Sequence, residues 1–332
     1  MKTIIIAEAG INHNGKIDLA KKLIKAAARS GADYIKFQTY NTEKMIVPNA
    51  RLAIYQKQNI KKIKTQFEML KKYELKKDFY KVLINYAKKN RIKFLSSPFD
   101  EESISLLNKY NLDFIKIPSG EIDNFPYLKK LGKIKKKIIL STGMSTLKEV
   151  SLAINTLTRY GLKRKDISLL HCHSAYPSKL TNLNLNVIKY LKKKFKFRVG
   201  FSDHSTSVNI PSIAVALGAQ IIEKHLTLSN KMSGPDHKAS INPNNFKRMV
   251  NLIRQTELAL GNYKKIPSKN ELKNKPFARK SLVAKVDIRK GEMFSETNLT
   301  TKRPGIGISP MKFNYYLKKK SKKNYSKDDL IK

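Results

Sequence analysis

Eight short segments rich in β-branched and aliphatic residues recur along this 332-residue chain with helical stretches between them, and nothing else restricts its fold so tightly. They are Thr3–Ala9, Tyr34–Thr39, Lys93–Phe99, Phe114–Ser119, Lys137–Thr142, Ile167–Cys172, Arg198–Asp203 and Gln220–Leu226. Such runs suit strands buried on both faces of a parallel sheet, which needs crossover helices. One intervening stretch carries Leu19, Leu23, Ile24 and Ala27 at helical spacing, with Asp18 expected as N-cap and Gly31 as stop. Another opens on Thr146 and Glu149 at capping-box spacing and ends at Gly161. Eight strand–helix units at this rhythm predict an α/β fold, the (β/α)8 TIM barrel.

The second and third strands lie about fifty residues apart, so Asn41–Tyr73 is expected to be an elaborated loop with some helix, on the side where function usually sits. We expect the barrel to occupy residues 1–264. A polar linker with Pro267 and Pro276 follows over 265–277, and a small β-rich domain over 278–332, turning at Lys290-Gly291. A module that small has little core of its own, so it should pack on the barrel or on a second subunit.

Composition excludes some classes. The single Cys172 rules out an internal disulfide and a cysteine-based zinc cage, leaving histidine and oxygen for any metal. No apolar run approaches a membrane span and the early Lys2 argues against a signal core, so a cytoplasmic protein without membrane partners is expected. The net charge of +43 invites a nucleic-acid reading, but the lysines spread over nearly the whole chain and are read as solvated helix faces.

In a TIM barrel the polar residues at strand C-termini are the catalytic candidates, and here every strand ends in them. In order they are Glu8; Lys36 and Gln38; Ser96 and Ser97; Lys116, Ser119 and Glu121; Ser141 and Thr142; His171 to Ser174; Ser202, Asp203 and His204; and Glu223 with His225. Hydroxyls beside Lys36 and Lys116 make an anion cradle. His204 and His225 finish adjacent strands, so two imidazoles can share one cation. Taken singly, a strand-end serine is more often a turn or cap group and a lone histidine more often structural. His171 and His173 mimic a metal pair only by strand alternation, and His13 and His237 fall in loops as surface residues or sugar contacts. An inward Lys36, Lys116 or Lys224 would suit a metal-free Schiff-base aldolase. The charge would suit an RNA-binding protein, against which stand Glu8, Glu121, Asp203, Glu223 and Asp236 at the expected mouth.

At these residues the chain resembles the sialic acid synthase family, the N-acetylneuraminate and legionaminate synthases. The resemblance rests on Ala7-Glu-Ala-Gly-Ile-Asn-His-Asn-Gly15, Ile35-Lys-Phe-Gln-Thr39, Leu95-Ser-Ser-Pro-Phe-Asp100 and Ile115-Lys-Ile-Pro-Ser-Gly-Glu121. It continues through Leu140-Ser-Thr-Gly-Met144, Leu170-His-Cys172, Gly200-Phe-Ser-Asp-His204, Ile222-Glu-Lys-His225 and Gly234-Pro-Asp-His-Lys-Ala-Ser240. The tail from Ala278-Arg-Lys-Ser-Leu-Val to Lys302-Arg-Pro-Gly305 is similar to that family's SAF (β-clip, antifreeze-like) domain.

The resemblance implies a transferase that condenses phosphoenolpyruvate with open-chain N-acetylmannosamine to N-acetylneuraminate, or with a related sugar to N,N'-diacetyllegionaminate or another nonulosonate. It implies that His204 and His225 hold a divalent metal, Mn2+ first, with Mg2+ and Co2+ as alternatives. It assigns phosphoenolpyruvate to Ser97, Lys116, Ser119, Ser141 and Ser202, the sugar to Gln38, Glu121, Tyr176 and Asp236, and acid–base work to Glu8 and Lys36. Arg303 resembles an arginine that the SAF domain of a partner inserts into the site, which implies a domain-swapped homodimer. Ser174 departs from the asparagine expected of neuraminate synthases, which bears on the sugar alone.

Overall fold

A computed structural model describes residues 2–60 and 62–332. It divides into two units, Met1–Gly261 and Asn262–Lys332. In the first, eight parallel strands form one sheet: β1 (Ile4–Gly10), β2 (Tyr34–Thr39), β3 (Lys93–Pro98), β4 (Ile115–Ile117), β5 (Ile138–Ser141), β6 (Ile167–Cys172), β7 (Arg198–Asp203) and β8 (Ile221–His225). Their order is β3-β2-β1-β8-β7-β6-β5-β4, and the two ends, β3 and β4, lie in contact to complete the TIM barrel.

The outer faces of the strands meet amphipathic helices. Helix Ile17–Arg29 buries Ala20, Leu23, Ile24 and Ala27 against the sheet. Lys16 is its N-cap; Asp18, expected there, sits within the first turn, where a carboxylate still faces the positive helix end. Gly31 ends the segment at φ +84°. Helix Leu147–Arg159 has the expected cap, with Glu149 N–H donating to Thr146 Oγ1 at 3.3 Å and Thr146 N–H to Glu149 Oε2 at 2.6 Å. Each fully buried Leu or Ile on these faces contributes roughly 1.5–3 kcal/mol relative to exposure.

The inner face is layered, because alternate residues of a strand point the same way. Ile6, Leu95, Ile139, Leu170 and Ile221 form a fully buried aliphatic layer across the barrel, packed with Tyr34 and, less deeply, with Ile4 and Phe114. Two residues further along the same strands come Glu8, Ser97, Ser141, Cys172 and Glu223, which turns a sealed core into a chemically equipped mouth. The Asn41–Tyr73 connection holds three short helices, Thr42–Met45, Ile54–Asn59 and Gln66–Tyr73, packed around Ile11, Tyr40, Met69 and Leu70.

In the second unit, β9 (Ser281–Ala284) pairs antiparallel with β10 (Leu299–Lys302), around a small core of Leu282, Ala284, Ile288, Phe294, Leu299, Tyr325 and Ile331. Gly291 turns at φ +86°. Part of the expected linker is helical: Lys269–Ala278 is opened by a Ser268–Glu271 capping box and contains Pro276. No helix among the described residues is long and apolar enough to cross a membrane.

Candidate active site

The layer above the aliphatic plug opens into a cavity of about 400 Å³. Its lining includes Glu8, Lys36, Gln38, Ser97, Lys116, Ser119, Ser141, Tyr176, Ser202, His204, His225 and Asp236. Twelve of the fourteen residues to which the resemblance assigns a role therefore meet in one space. The other two lie elsewhere. Glu121 follows β4 on a half-buried turn, where its Oε2 accepts from Asn124 Nδ2 at 2.6 Å, and it is not among the lining residues. Arg303 belongs to the second unit, exposed, with its Nε donating to the Ala278 carbonyl at 3.0 Å.

The floor of the cavity is a buried cluster of two lysines and two carboxylates. Lys36 Nζ lies 2.7 Å from Glu8 Oε2 and 3.7 Å from Glu223 Oε2, and donates to Ser97 Oγ at 3.1 Å. Lys116 Nζ lies 3.6 Å from Glu223 Oε1, to which Ser202 Oγ donates at 2.8 Å. Burial pushes the Glu8 carboxyl up, against the opposing pull of Lys36. Burial would also raise Glu223, but Lys116 and Lys36 together with Ser202 outweigh it and hold the group at about 2. Burial lowers Lys116, with Lys36 adding to the effect; burial lowers Lys36 too, but there Glu223 and Glu8 more than reverse it. Glu223 is thus the fixed anion of the cluster, and Glu8 the carboxyl whose protonated form burial favours.

Glycine is required where backbone approaches these groups. Gly10 sits at φ +50° beside an irregularity in the β1–β2 register, and a Cβ there would stand 3.3 Å from Glu8 Oε1 and 3.5 Å from His225 Cε1. A Cβ on Gly143 would stand 2.8 Å from both Ser119 Oγ and Cys172 Sγ. Gly143 N–H donates to Ser119 Oγ at 3.0 Å, so this loop fixes the serine from behind.

His204 and His225 face one another with ring centroids 5.6 Å apart, and Tyr176 packs 4.3 Å from the first and 5.8 Å from the second. The His173 carbonyl accepts from His204 Nδ1 at 2.7 Å, which leaves Nε2 as the lone-pair nitrogen. Burial lowers both imidazoles, His204 to about 4 and His225 well below the usual histidine range, so both rings are neutral and able to ligate. His225 Nδ1 is buried without a hydrogen-bond partner among the described residues. No group of three or more His, Cys, Asp or Glu side chains with metal-ligand geometry occurs among those residues. The two neutral imidazoles could together ligate a cation, which would need its further ligands from outside these side chains.

Asp236, arriving from the loop after β8, is buried at the wall of the cavity; burial raises its carboxyl to about 7, and Glu8 adds to the shift. Beside it the Asn41–Tyr73 connection contributes Tyr55, Gln56 and Gln66, with Tyr55 stacked on Tyr176 at 5.2 Å. Asn59 Nδ2 ties that connection to the Pro235 carbonyl at 2.7 Å. Sequence reasoning expected a functional loop here but singled out none of these three residues. The aromatic Tyr55 followed by Gln56, Lys57 and Gln58 was the available signal.

Three further expectations need correction. Lys224 does not face the cavity: strand alternation puts it opposite Glu223 and His225, where its Nζ meets Asp203 Oδ2 at 2.5 Å and the Ser207 carbonyl at 3.0 Å. It is no candidate for a Schiff base at this mouth. Asp203, its partner, is absent from the cavity wall for the same reason. His13 and His237 are fully buried rather than on the surface, His237 sharing a hydrogen bond with Thr227 Oγ1 at 2.7 Å and His13 Nδ1 accepting from Gly15 N–H at 3.0 Å.

The NeuB family model matches residues 23–265, and the SAF domain model residues 279–332. An N,N'-diacetyllegionaminic acid synthase from Campylobacter jejuni is 53% identical over 330 residues, 99% of each chain. A protein of the same description from Legionella pneumophila is 43% identical over 312 residues, 93% of this chain and 88% of the other. The crystal structure of an N-acetylneuraminic acid synthetase from Leptospira borgpetersenii, in complex with citrate, superposes with a TM-score of 0.74 at 32% identity, covering 82% of this chain and 90% of that one.

Proposed function

This chain belongs to the NeuB family, and from that premise we propose that it is a nonulosonate synthase joining phosphoenolpyruvate to an open-chain N-acetylated sugar, with N,N'-diacetyllegionaminate as the product. The observation that carries the choice of product is the 53% identity to the Campylobacter diacetyllegionaminate synthase along the whole chain. The neuraminate reading expected first has weaker support, a relative of that description at 32% identity. Ser174, the departure from the neuraminate pattern, lines the cavity and so bears on the sugar.

Lys116 and Lys36, with the hydroxyls of Ser97, Ser119, Ser141 and Ser202, receive the phosphate and carboxylate of phosphoenolpyruvate. Gln38, Tyr176, Asp236 and the Tyr55 loop receive the sugar. His204 and His225 would hold a divalent cation, Mn2+ first, which when bound supplies Lewis-acid polarisation of the sugar aldehyde. Carbon 3 of phosphoenolpyruvate then bonds to the aldehyde carbon, and water adds to the cation left at carbon 2. Glu8 accepts one proton of that water and passes it to the alkoxide formed from the aldehyde, and the resulting adduct expels inorganic phosphate, which carries off the proton of the carbon 2 hydroxyl, to leave the 2-keto acid. Lys36, 2.7 Å from Glu8, holds the carboxylate in place and compensates its charge.

The test is to incubate the purified chain with phosphoenolpyruvate, Mn2+ and each of N-acetylmannosamine, its 6-phosphate and the 2,4-diacetamido-2,4,6-trideoxy mannose analogue, and to identify products by mass. Diacetyllegionaminate should form fastest, exhaustive chelation should stop it, and borohydride should trap no lysine. Preferential turnover of N-acetylmannosamine would return the assignment to neuraminate; turnover without metal would overturn the roles of both histidines.

A further inference from the structure

The barrel has a second opening. The inward alternation that places Lys116, Ser141, Cys172 and Ser202 at the catalytic mouth places Phe114, Lys137, Ser168 and Arg198 at the opposite end of the same strands or just before them, below the aliphatic plug. A concavity of about 320 Å³ lies there, with Lys137, Arg164, Lys165, Lys196 and Arg198 in its wall and Asp166 as the one carboxylate among its lining residues.

Its positive charge is in excess, five cations to one carboxylate. None of the five cations has an ion-pair partner among the described residues, whereas Lys93, which precedes the inward Leu95 by two residues on β3, is paired with Asp113 at 2.6 Å. Two of the wall residues are held rather than loose. The Arg164 guanidinium stands 4.6 Å from the Phe197 ring centroid, with its Nη2 toward the Phe195 carbonyl at 3.5 Å, and Arg198 is half-buried at the start of β7. Ser168 is buried in the same wall, a hydroxyl among the cations. Like charges gathered around a hollow repel one another, and a multivalent anion removes that repulsion while gaining charge-assisted hydrogen bonds.

We propose that this concavity binds a small molecule through a chain of two or three phosphate groups. The size argues for a compact ligand rather than a nucleic-acid duplex or strand. Both rings of the wall are already engaged, Phe197 by Arg164 and by Phe195 at 6.2 Å and Phe114 by Tyr34 at 5.9 Å, so recognition falls on the phosphates rather than on a base.

Calorimetric titration of the full chain with sodium tripolyphosphate at 0.1 M salt tests this. One site per chain is expected, tighter than for orthophosphate. The exposed pair Lys137→Ala/Lys165→Ala should weaken it roughly tenfold or more, and Arg198→Ala comparably. Lys318→Ala/Lys322→Ala/Lys323→Ala, which removes more charge from the second unit, should change it less than twofold. Competition by ATP would extend the ligand to nucleotides, and failure of ATP to compete would restrict it to free polyphosphate. Equal weakening by the second-unit variant would reduce the binding to diffuse charge and overturn the site. So would weakening by Lys116→Ala alone, which would place the anion in the catalytic mouth. Unchanged binding in the Lys137/Lys165 variant, whose exposed positions leave folding intact, would overturn it too.

Discussion

Among the residues of the cluster, Lys116 faces only one carboxylate within 4 Å, while Lys36 faces two. Lys116 is therefore the lysine with charge to spare for an incoming phosphate. Lys116→Ala should raise the KM for phosphoenolpyruvate by a factor corresponding to about 2–3 kcal/mol, with little change in that for the sugar. Steady-state kinetics with each substrate varied in turn would show it, and a selective loss of sugar affinity would reverse the orientation drawn above. Asp236 carries a different signature. Its folded carboxyl titrates at about 7 against an ordinary 3.8, so the folded chain keeps a proton that the unfolded chain releases. Stability is then lost as pH rises from about 4 to about 7, and the penalty is complete above that, at most about 4 kcal/mol. Asp236→Asn removes the penalty: its melting temperature should exceed that of the parent at pH 8 and match it near pH 4, while sugar turnover falls. Equal melting temperatures at pH 8 would show that Asp236 ionises without cost.

Of the elements, β7 and β8 are tied from behind by the Asp203–Lys224 pair. Asp203 Oδ1 also accepts from Ser205 N–H at 2.8 Å, and Lys224 reaches the Ser207 carbonyl, so the pair fixes the loop that follows His204. Removing one partner leaves a buried charge uncompensated and should cost about 3–5 kcal/mol. Lys224→Met should lower the denaturant midpoint accordingly, and Asp203→Leu added to it should restore part of the loss; independent effects would mean that the pair is not coupled. The strands were legible because a parallel strand buried on both faces leaves a continuous apolar run that ends where the polar ring begins, as at Leu140-Ser141 and Phe201-Ser202. The inward placement expected for Lys224 was wrong, because alternation sends it outward once Glu223 and His225 face the cavity. Burial of His13 and His237 was not legible, because it depends on loops meeting across some 220 residues, as in the 3.2 Å contact between His237 Nε2 and Asn14 Oδ1. Tyr55 was hidden for a related reason: the short helices of its connection carry no long apolar stripe. Helix Lys269–Ala278 is exposed on nearly all sides, so only its Ser268–Glu271 cap marked it.

Viewed whole, the chain joins a complete barrel to a unit with a seven-residue core of its own, and Arg303 lies on the latter. If that arginine serves a partner's barrel, a chain ending near Ile266 should fold and keep its metal but lose synthase activity. Mixed Arg303→Ala and His204→Ala chains should recover about a quarter to a half of the per-site activity after subunit exchange, because some mixed dimers contain one site with both parts intact. Absence of recovery after verified exchange would assign Arg303 to its own barrel. The aliphatic layer of Ile6, Leu95, Ile139, Leu170 and Ile221 carries a last consequence, for heredity rather than for chemistry. Four residue steps along β7, roughly 13 Å, separate Arg198 from Ser202, with close-packed hydrocarbon between the two levels. Substitutions at the two ends of the barrel should combine without epistasis, so each end can drift or be selected while the other keeps its work.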